Sequence, residues 1–289
     1  MSTTAEWLNS QLLVRLPYPS HSFSGQTVIV TGANTGLGLE AARHFVRLRA
    51  SKVILACRST SKAEAAKLSI EASTQRYGVV SVEPLDLSSY ASVKEFATRM
   101  TQLERLDVVV QNAGIATLDY ERAEDNEATI TVNVVSTMLL ALLLLPKLRE
   151  SAERFDMIPR MVILSSDVHV MCSFSEWKTE NAFATLNDPS TANMEDRYSV
   201  SKLLSIFSVR ALAAKTQNKT PPVAINVLNP GFCYSELTRN VGGLMAWKFT
   251  MLKALFARST EYGSRTLVHA ASVGWESHGK YMSDGKLNK

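Results

Sequence analysis

The chain has 289 residues, 46% of them apolar and 20% charged, with a net charge of +4. That profile is a globular protein with ample material for a core, and its scattered basic residues argue against a nucleic-acid surface. Three cysteines, Cys57, Cys172 and Cys233, are odd in number and far apart. They form neither a disulfide framework nor a zinc spacing, and they suit plain thiols in a reducing compartment.

Residues 1–24 read as an arm. Trp7, Leu8, Leu12 and Leu13 can share one face of a short helix, and Pro17, Pro19, Ser20, Ser22 and Ser24 make a linker. Packing on the body is the ordinary expectation for this arm; contact with a membrane surface is the sharper one. Leu12, Leu13 and Val14 are interrupted by Arg15 and Pro17, so no secretory apolar region is expected. The longest apolar run, Met138 to Leu145, falls short of the roughly 20 residues that span a bilayer. A cytoplasmic location is expected.

From Thr27 onward strands and helices alternate. Thr27–Thr31 (TVIVT) is a β-branched strand that ends in a glycine-rich turn. Leu37, Ala41, Phe45 and Leu48 then recur at helical spacing. Lys52–Cys57 predicts a second strand, and residues 61–76 a helix with Ser61 as its cap. Strands are expected over 79–83 and 106–111, with a helix over 89–103 between them. A long helix is predicted over 126–145, ending near Pro146. Strand 161–165, helix 198–215 and strand 223–228 follow. The repeated strand–helix unit implies one α/β domain over 25–289: a Rossmann-type, doubly wound parallel sheet with helices on both faces.

Two local patterns carry chemistry. The turn after the first strand holds Gly32, Asn34, Thr35, Gly36, Leu37 and Gly38. Small residues there let the backbone approach a pyrophosphate, which then faces the N-terminal N–H groups of the next helix. An acidic residue some 20 positions later would bond a ribose 2′-hydroxyl, but Gly38 plus 20 is Arg58. A guanidinium there suits a 2′-phosphate, so NADP(H) is the expected cofactor. The second pattern is Tyr198-x-x-x-Lys202, which places both side chains on one helix face. An ammonium beside a phenol is expected to lower the phenol's pKa towards general acid/base use.

Gly32-x-x-x-Gly36-x-Gly38, Asn112-Ala113-Gly114 and Tyr198-x-x-x-Lys202, in this order, resemble the short-chain dehydrogenase/reductase family over about residues 25–275. The resemblance is nearer to retinol-dehydrogenase-like and fungal secondary-metabolite reductases. It implies a catalytic group of Asn133, Ser166, Tyr198 and Lys202. Tyr198 would exchange the proton, Lys202 would tune it and hold the nicotinamide ribose, and Asn133 would anchor a water relay. Ser166 would polarise the substrate oxygen, chosen over Ser165 because the second of paired serines usually aligns. The resemblance also implies that Asp86 and Leu87 lie beside the adenine. Asn112, Ala113 and Gly114 border the cofactor, and Pro230, Gly231 and Ser235 lie at the nicotinamide. Gln111 stands where many members have Asn, and Ser235 where many have Thr.

Two segments are expected to set the substrate. The 31 residues between Ser166 and Tyr198 carry Met171, Phe174, Trp177 and Phe183, with Asp167 and His169 close to the reacting centre. Residues 232–256, with Trp247 among them, read as an apolar lid. A hydrophobic small molecule is the expected substrate, and a homodimer or homotetramer the expected assembly. The expected activity is carbonyl–alcohol interconversion with NADP(H). The same site used on C=C or C=N bonds or for a cyclisation, and a non-enzymatic NADPH sensor, stay open.

Overall fold

The computed structural model describes residues 4–234 and 252–288. Its centre is an eight-stranded sheet of β1 (Thr27–Thr31), β2 (Lys52–Cys57), β3 (Val80–Pro84), β4 (Val108–Gln111), β5 (Arg160–Leu164), β6 (Ala224–Asn229), β7 (Tyr281–Ser283) and β8 (Lys286–Asn288). The spatial order is β8-β7-β6-β5-β4-β1-β2-β3. All neighbours pair in parallel except β7 and β8, which are antiparallel. The expected doubly wound parallel sheet is present, with one antiparallel edge strand where a turn at Asp284 and Gly285, both at positive φ, folds the chain back.

Every residue of β1 is buried, as a central parallel strand covered on both faces requires. Val28 and Val30 join one core cluster with Ala41, Phe45, Ala63, Ile70 and Leu267. Ile29 points the other way, into a cluster with Phe96, Leu144 and Val209. The period-two alternation of the strand therefore sorts the helices into two layers. One holds α2 (Gly36–Arg47), α3 (Thr60–Thr74) and α7 (Thr260–Ser272). The other holds α4 (Tyr90–Thr101), α5 (Ala128–Phe155) and α6 (Met194–Thr216).

Two helix boundaries differ from expectation. Ser59, not Ser61, caps α3: its backbone is extended and its hydroxyl accepts from Lys62 N at 3.4 Å. α5 also runs through Pro146 to Phe155 instead of stopping near the proline. Proline removes the hydrogen bond to the carbonyl four residues back, which is that of Leu142. Leu142 lies on the exposed face, 52% accessible, so water can satisfy that carbonyl. Leu140, Ala141, Leu144, Leu145 and Leu148 keep the opposite face buried. This helix is long and apolar enough to cross a membrane, yet 72% of its most apolar stretch is buried inside the fold. One turn of α5, Thr131–Ser136, is π-helical, a form often found at functional sites.

The arm forms α1 (Thr4–Leu13), which packs on the domain. Gln11 Nε2 donates to Phe232 O (2.6 Å) and Phe256 O (2.8 Å), and Arg258 donates to Ser10 O (2.6 Å).

Candidate active site

The strand order reverses at β1, so a crevice opens between the carboxyl ends of β1 and β4. Gly32 leaves β1 at φ +64 and Gly36 starts α2 at φ +60, both in the left-handed region that favours glycine. A Cβ on Gly36 would meet nothing within 4 Å, so the loop presents open backbone there. Thr35 precedes α2 in extended conformation with no side-chain cap, which leaves the first N–H groups of a 12-residue helix for an anion. These features fit a pyrophosphate.

Gly38 has a different role. A Cβ there would stand 2.5 Å from Asn112 Nδ2 and 2.7 Å from Gly32 O. Asn112 Nδ2 donates to Thr31 O (2.9 Å) and Gly32 O (3.3 Å), while Thr31 Oγ1 accepts from the N–H groups of Asn112 and Ala113, both at 3.0 Å. The Asn-Ala-Gly segment thus ties β4 to the glycine-rich loop. Gly38→Ala is expected to cost about 1–3 kcal/mol of stability by overpacking and to weaken cofactor binding. Denaturant unfolding and a cofactor titration check this.

Arg58 is exposed at the carboxyl end of β2. Asp86 accepts from Ser88 N (2.9 Å) and Ser88 Oγ (2.6 Å) in a turn, and Leu87 beside it is buried. Pro230 and Gly231 follow β6, with Gly231 at φ +81 and its N–H donating to Asn229 Oδ1 at 2.9 Å. A Cβ on Gly231 would lie 2.5 Å from Arg258 and 3.1 Å from Gln11, so this turn is packed against α1. Ser235 and Trp247 lie outside the described residues, as does most of the 232–256 segment.

Of the four residues that the family resemblance implies, Ser166, Tyr198 and Lys202 gather at the end of β5, and Asn133 lies beside Gly114 and Ser201. Ser165 is turned inward and donates to Lys202 O at 2.9 Å, so it belongs to the scaffold. The Ser166 hydroxyl lies close enough to that of Tyr198 to lower its pKa. It also donates to Asp167 Oδ1 (3.2 Å) and accepts from Val168 N (3.4 Å). Lys202 Nζ donates to Leu164 O at 2.9 Å and sits 5.5 Å from the centre of the Tyr198 ring. Asn133, in the π-helical turn, donates to Ile115 O (2.9 Å) and Ser201 Oγ (3.0 Å) and accepts from Ile115 N (2.9 Å). Its carbonyl accepts from Ser205 Oγ at 3.3 Å. A Cβ at Gly114 would be 3.0 Å from Asn133 Oδ1 and 3.6 Å from Lys202 Nζ, so this glycine lets the two approach β4.

The electrostatics correct one expectation. The Tyr198 hydroxyl is pushed up from its usual pKa, not down: burial dominates, the Asp167 charge adds to it, and the Ser166 hydrogen bond opposes them. Lys202 is lowered to about 8 by burial. The ammonium lies 5.5 Å from the ring centre and does not offset the effect of burial.

Sequence reasoning gave Asp167 only a general role and Trp7 none in the site. Trp7 Nε1 donates to Asp167 Oδ2 at 2.9 Å. The Trp7 ring also packs on Phe232 and Phe256, at centroid distances of 6.4 and 6.0 Å. Partners 160 residues apart leave no local pattern; the only signal was the apolar face of α1. His169 lies near the site but turns its Nδ1 to Ser166 O (2.6 Å) and stacks edge-on to Tyr281. In the segment before α6, Met171, Trp177 and Phe183 are exposed while Phe174 packs on Ile130, Leu186 and Val200. That segment is anchored by Asp196, which accepts from Ser173 N (2.9 Å) and Phe174 N (3.2 Å), and by buried Arg197 near Glu176 (3.8 Å).

Comparison with known proteins agrees with this geometry. The family described as short chain dehydrogenase matches residues 26–155. The short-chain dehydrogenase anuD of Penicillium roqueforti is 47% identical over 287 residues, 98% of this chain and 75% of the relative. The short chain dehydrogenase/reductase dmxR8 of a Cryptosporiopsis species is 49% identical, over 97% of this chain and 88% of the relative. Among solved structures, the RhlG/NADP active-site complex of Pseudomonas aeruginosa superposes with a TM-score of 0.67 at 23% identity, covering 92% of this chain and 97% of that one. NADPH-bound carbonyl reductase from chicken fatty liver gives 0.66 at 20% identity, over 93% and 99%. The doubly wound sheet, the glycine-rich loop at its switch point and these fungal relatives place the chain in the short-chain dehydrogenase/reductase family of oxidoreductase enzymes.

Proposed function

We propose that this enzyme interconverts a carbonyl and an alcohol on a hydrophobic small molecule, using NADP(H) and Tyr198 as the proton-exchanging group. The observation that carries the reading is the convergence of Ser166, Tyr198 and Lys202 beside the crevice at the sheet's switch point. When bound, the nicotinamide exchanges a hydride with the carbonyl carbon.

The chain's own residues do the rest. The Gly32–Gly38 loop and the α2 N-terminus would hold the pyrophosphate, and Arg58 the 2′-phosphate. Lys202 keeps N–H groups beyond the one given to Leu164 O, and these would reach the nicotinamide ribose. Ser166 would hydrogen-bond the substrate oxygen. Burial and the Asp167 charge keep Tyr198 protonated in the free protein, the form from which it would give the proton in reduction. Met171, Trp177 and Phe183 are exposed before α6, and Phe232 and Phe256 gather around Trp7. These offer apolar surface to a substrate. The neighbouring structures with NADP or NADPH bound support the choice of cofactor by similarity of fold.

The test is an oxidation screen with NADPH and NADH across apolar aldehydes and ketones, run on wild type and Arg58→Ala. Turnover of at least one carbonyl with NADPH preferred is expected. Loss of Arg58 is expected to weaken NADPH binding by about 1.5–3 kcal/mol, a charged hydrogen bond's worth, with little change for NADH. Equal losses for both cofactors would overturn the 2′-phosphate assignment.

A further inference from the structure

A chain of hydrogen bonds runs from the N-terminal helix into the catalytic group. Trp7 Nε1–H donates to Asp167 Oδ2 at 2.9 Å, and Asp167 Oδ1 accepts from Ser166 Oγ at 3.2 Å. Ser166 in turn lies beside Tyr198. Each carboxylate oxygen of Asp167 thus has a partner, one on α1 and one in the site. We propose that Asp167 is a positioning residue for Ser166 and Tyr198, and that α1 is the latch that holds it there through Trp7.

The position of Trp7 is itself constrained. Gln11, one turn along α1, donates to the carbonyls of Phe232 and Phe256 and accepts from Phe232 N at 3.1 Å. Those two phenylalanines flank the Trp7 ring. Arg258 adds bonds to Ser10 O, to Pro230 O (3.2 Å) and to Asp284 (2.8 Å), and Ser10 bonds Asp284 at 2.6 Å. The absence of a side chain on Gly231 leaves room for Arg258 and Gln11. These contacts fix α1 to the turn after β6, where the proposed nicotinamide end lies. The indole N–H therefore reaches Asp167 from a held frame, which is the condition for a positioning bond to act.

The carboxylate has two consequences. It accepts the Ser166 O–H, which fixes the serine side chain beside Tyr198 in the free protein. It also keeps a negative charge near the phenol, which favours the protonated, proton-giving form. The other titratable and charged groups about this point are Lys202 on α6, His169 on the turn after β5, Tyr281 on β7, and Cys233 with Arg258 beside α1. Tyr281 and Cys233 are both pushed up by burial and by the same Asp167 charge.

The proposal rests on Tyr198 being the proton donor, so the experiment includes that residue. Wild type, Trp7→Phe, Asp167→Asn and Tyr198→Phe are compared in NADPH oxidation with 9,10-phenanthrenequinone and a panel of apolar ketones. NADPH affinity and thermal melting are measured alongside. Phenylalanine keeps the aromatic packing of Trp7 and removes only its N–H. Trp7→Phe is expected to lower kcat about 5- to 20-fold and Asp167→Asn about 10- to 100-fold, within the scale of misplaced catalytic groups. NADPH affinity should stay within about twofold of wild type, as neither side chain is assigned to the cofactor. The double variant should be no slower than Asp167→Asn alone.

Wild-type kcat in folded Asp167→Asn, with Tyr198→Phe inactive, would overturn this proposal and leave the catalytic reading standing. Loss of NADPH affinity in step with kcat would also overturn it, by showing a general loosening of the site. An active Tyr198→Phe would overturn the catalytic reading and this proposal with it. Should Asp167→Asn fail to fold, Trp7→Phe decides alone: wild-type kcat in that variant overturns the latch.

Discussion

Tyr198→Phe is expected to abolish carbonyl turnover, by about 10²- to 10⁴-fold, while leaving NADPH affinity near wild type. That loss is the range general acid/base groups supply. The ring stays, with its packing in α6, and only the hydroxyl beside Ser166 is removed. The remaining acceptors at the site, Ser166 and Asp167, keep their bond to each other, so the fold should tolerate the change. Single-turnover measurements with bound NADPH separate the chemical step from cofactor binding. Near-normal turnover in the variant would show that the reaction is not tyrosine-mediated carbonyl reduction. It would favour C=C reduction or a cyclisation at the same site.

The second large effect concerns Lys202 and pH. Burial lowers this ammonium to about 8, so above that pH the folded protein loses its charge. If the cation holds the ribose, both kcat and NADPH affinity should fall as pH rises from 7 to 9.5. Lys202→Met should show the low values throughout, with kcat down by about 10²-fold or more. Stability follows the opposite sign. Below about 8 the lysine is charged in folded and unfolded chains alike, and the fold bears the cost of burying the charge. Between 8 and the ordinary value of 10.5, only the unfolded chain keeps the proton, so that cost is relieved as pH rises. Cys57 and Cys233, raised by burial to about 11 and about 12, act the other way above pH 9, but equally in both proteins. The expected result is therefore a difference. The stability of Lys202→Met relative to wild type should decline from pH 8 to pH 10. Denaturant melts at matched pH check this, and a constant difference would mean that Lys202 does not titrate there.

Much of this molecule could be read along the chain. β1 and β2 have the boundaries that their β-branched runs predict, because a strand buried on both faces must be apolar throughout. The glycine spacing after β1 marked the switch point, since few other residues can take the positive φ of Gly32 and Gly36. The i, i+4 spacing of Tyr198 and Lys202 put both on one face of α6. The choice of Ser166 over Ser165 came from family resemblance; in the structure Ser165 turns inward to Lys202 O and Ser166 faces Tyr198.

Other features were decided by tertiary contact. α5 passes through Pro146 because the carbonyl left unpaired faces solvent, a fact about exposure and not about sequence. The cap of α3 moved from Ser61 to Ser59 because the cap position depends on backbone conformation where β2 ends. The direction of the Tyr198 shift reversed because burial and Asp167 outweigh a lysine that lies over the ring, and spacing alone does not report depth. The strands, the glycine-rich loop and the Tyr198–Lys202 spacing depend on neighbours a few residues apart, where periodicity and backbone sterics act, and the amino-acid sequence by itself determined them. The seating of α1 and the contact of Trp7 with Asp167 join segments 160 residues apart. Their partners meet only once the sheet has closed, so only the tertiary structure could decide them.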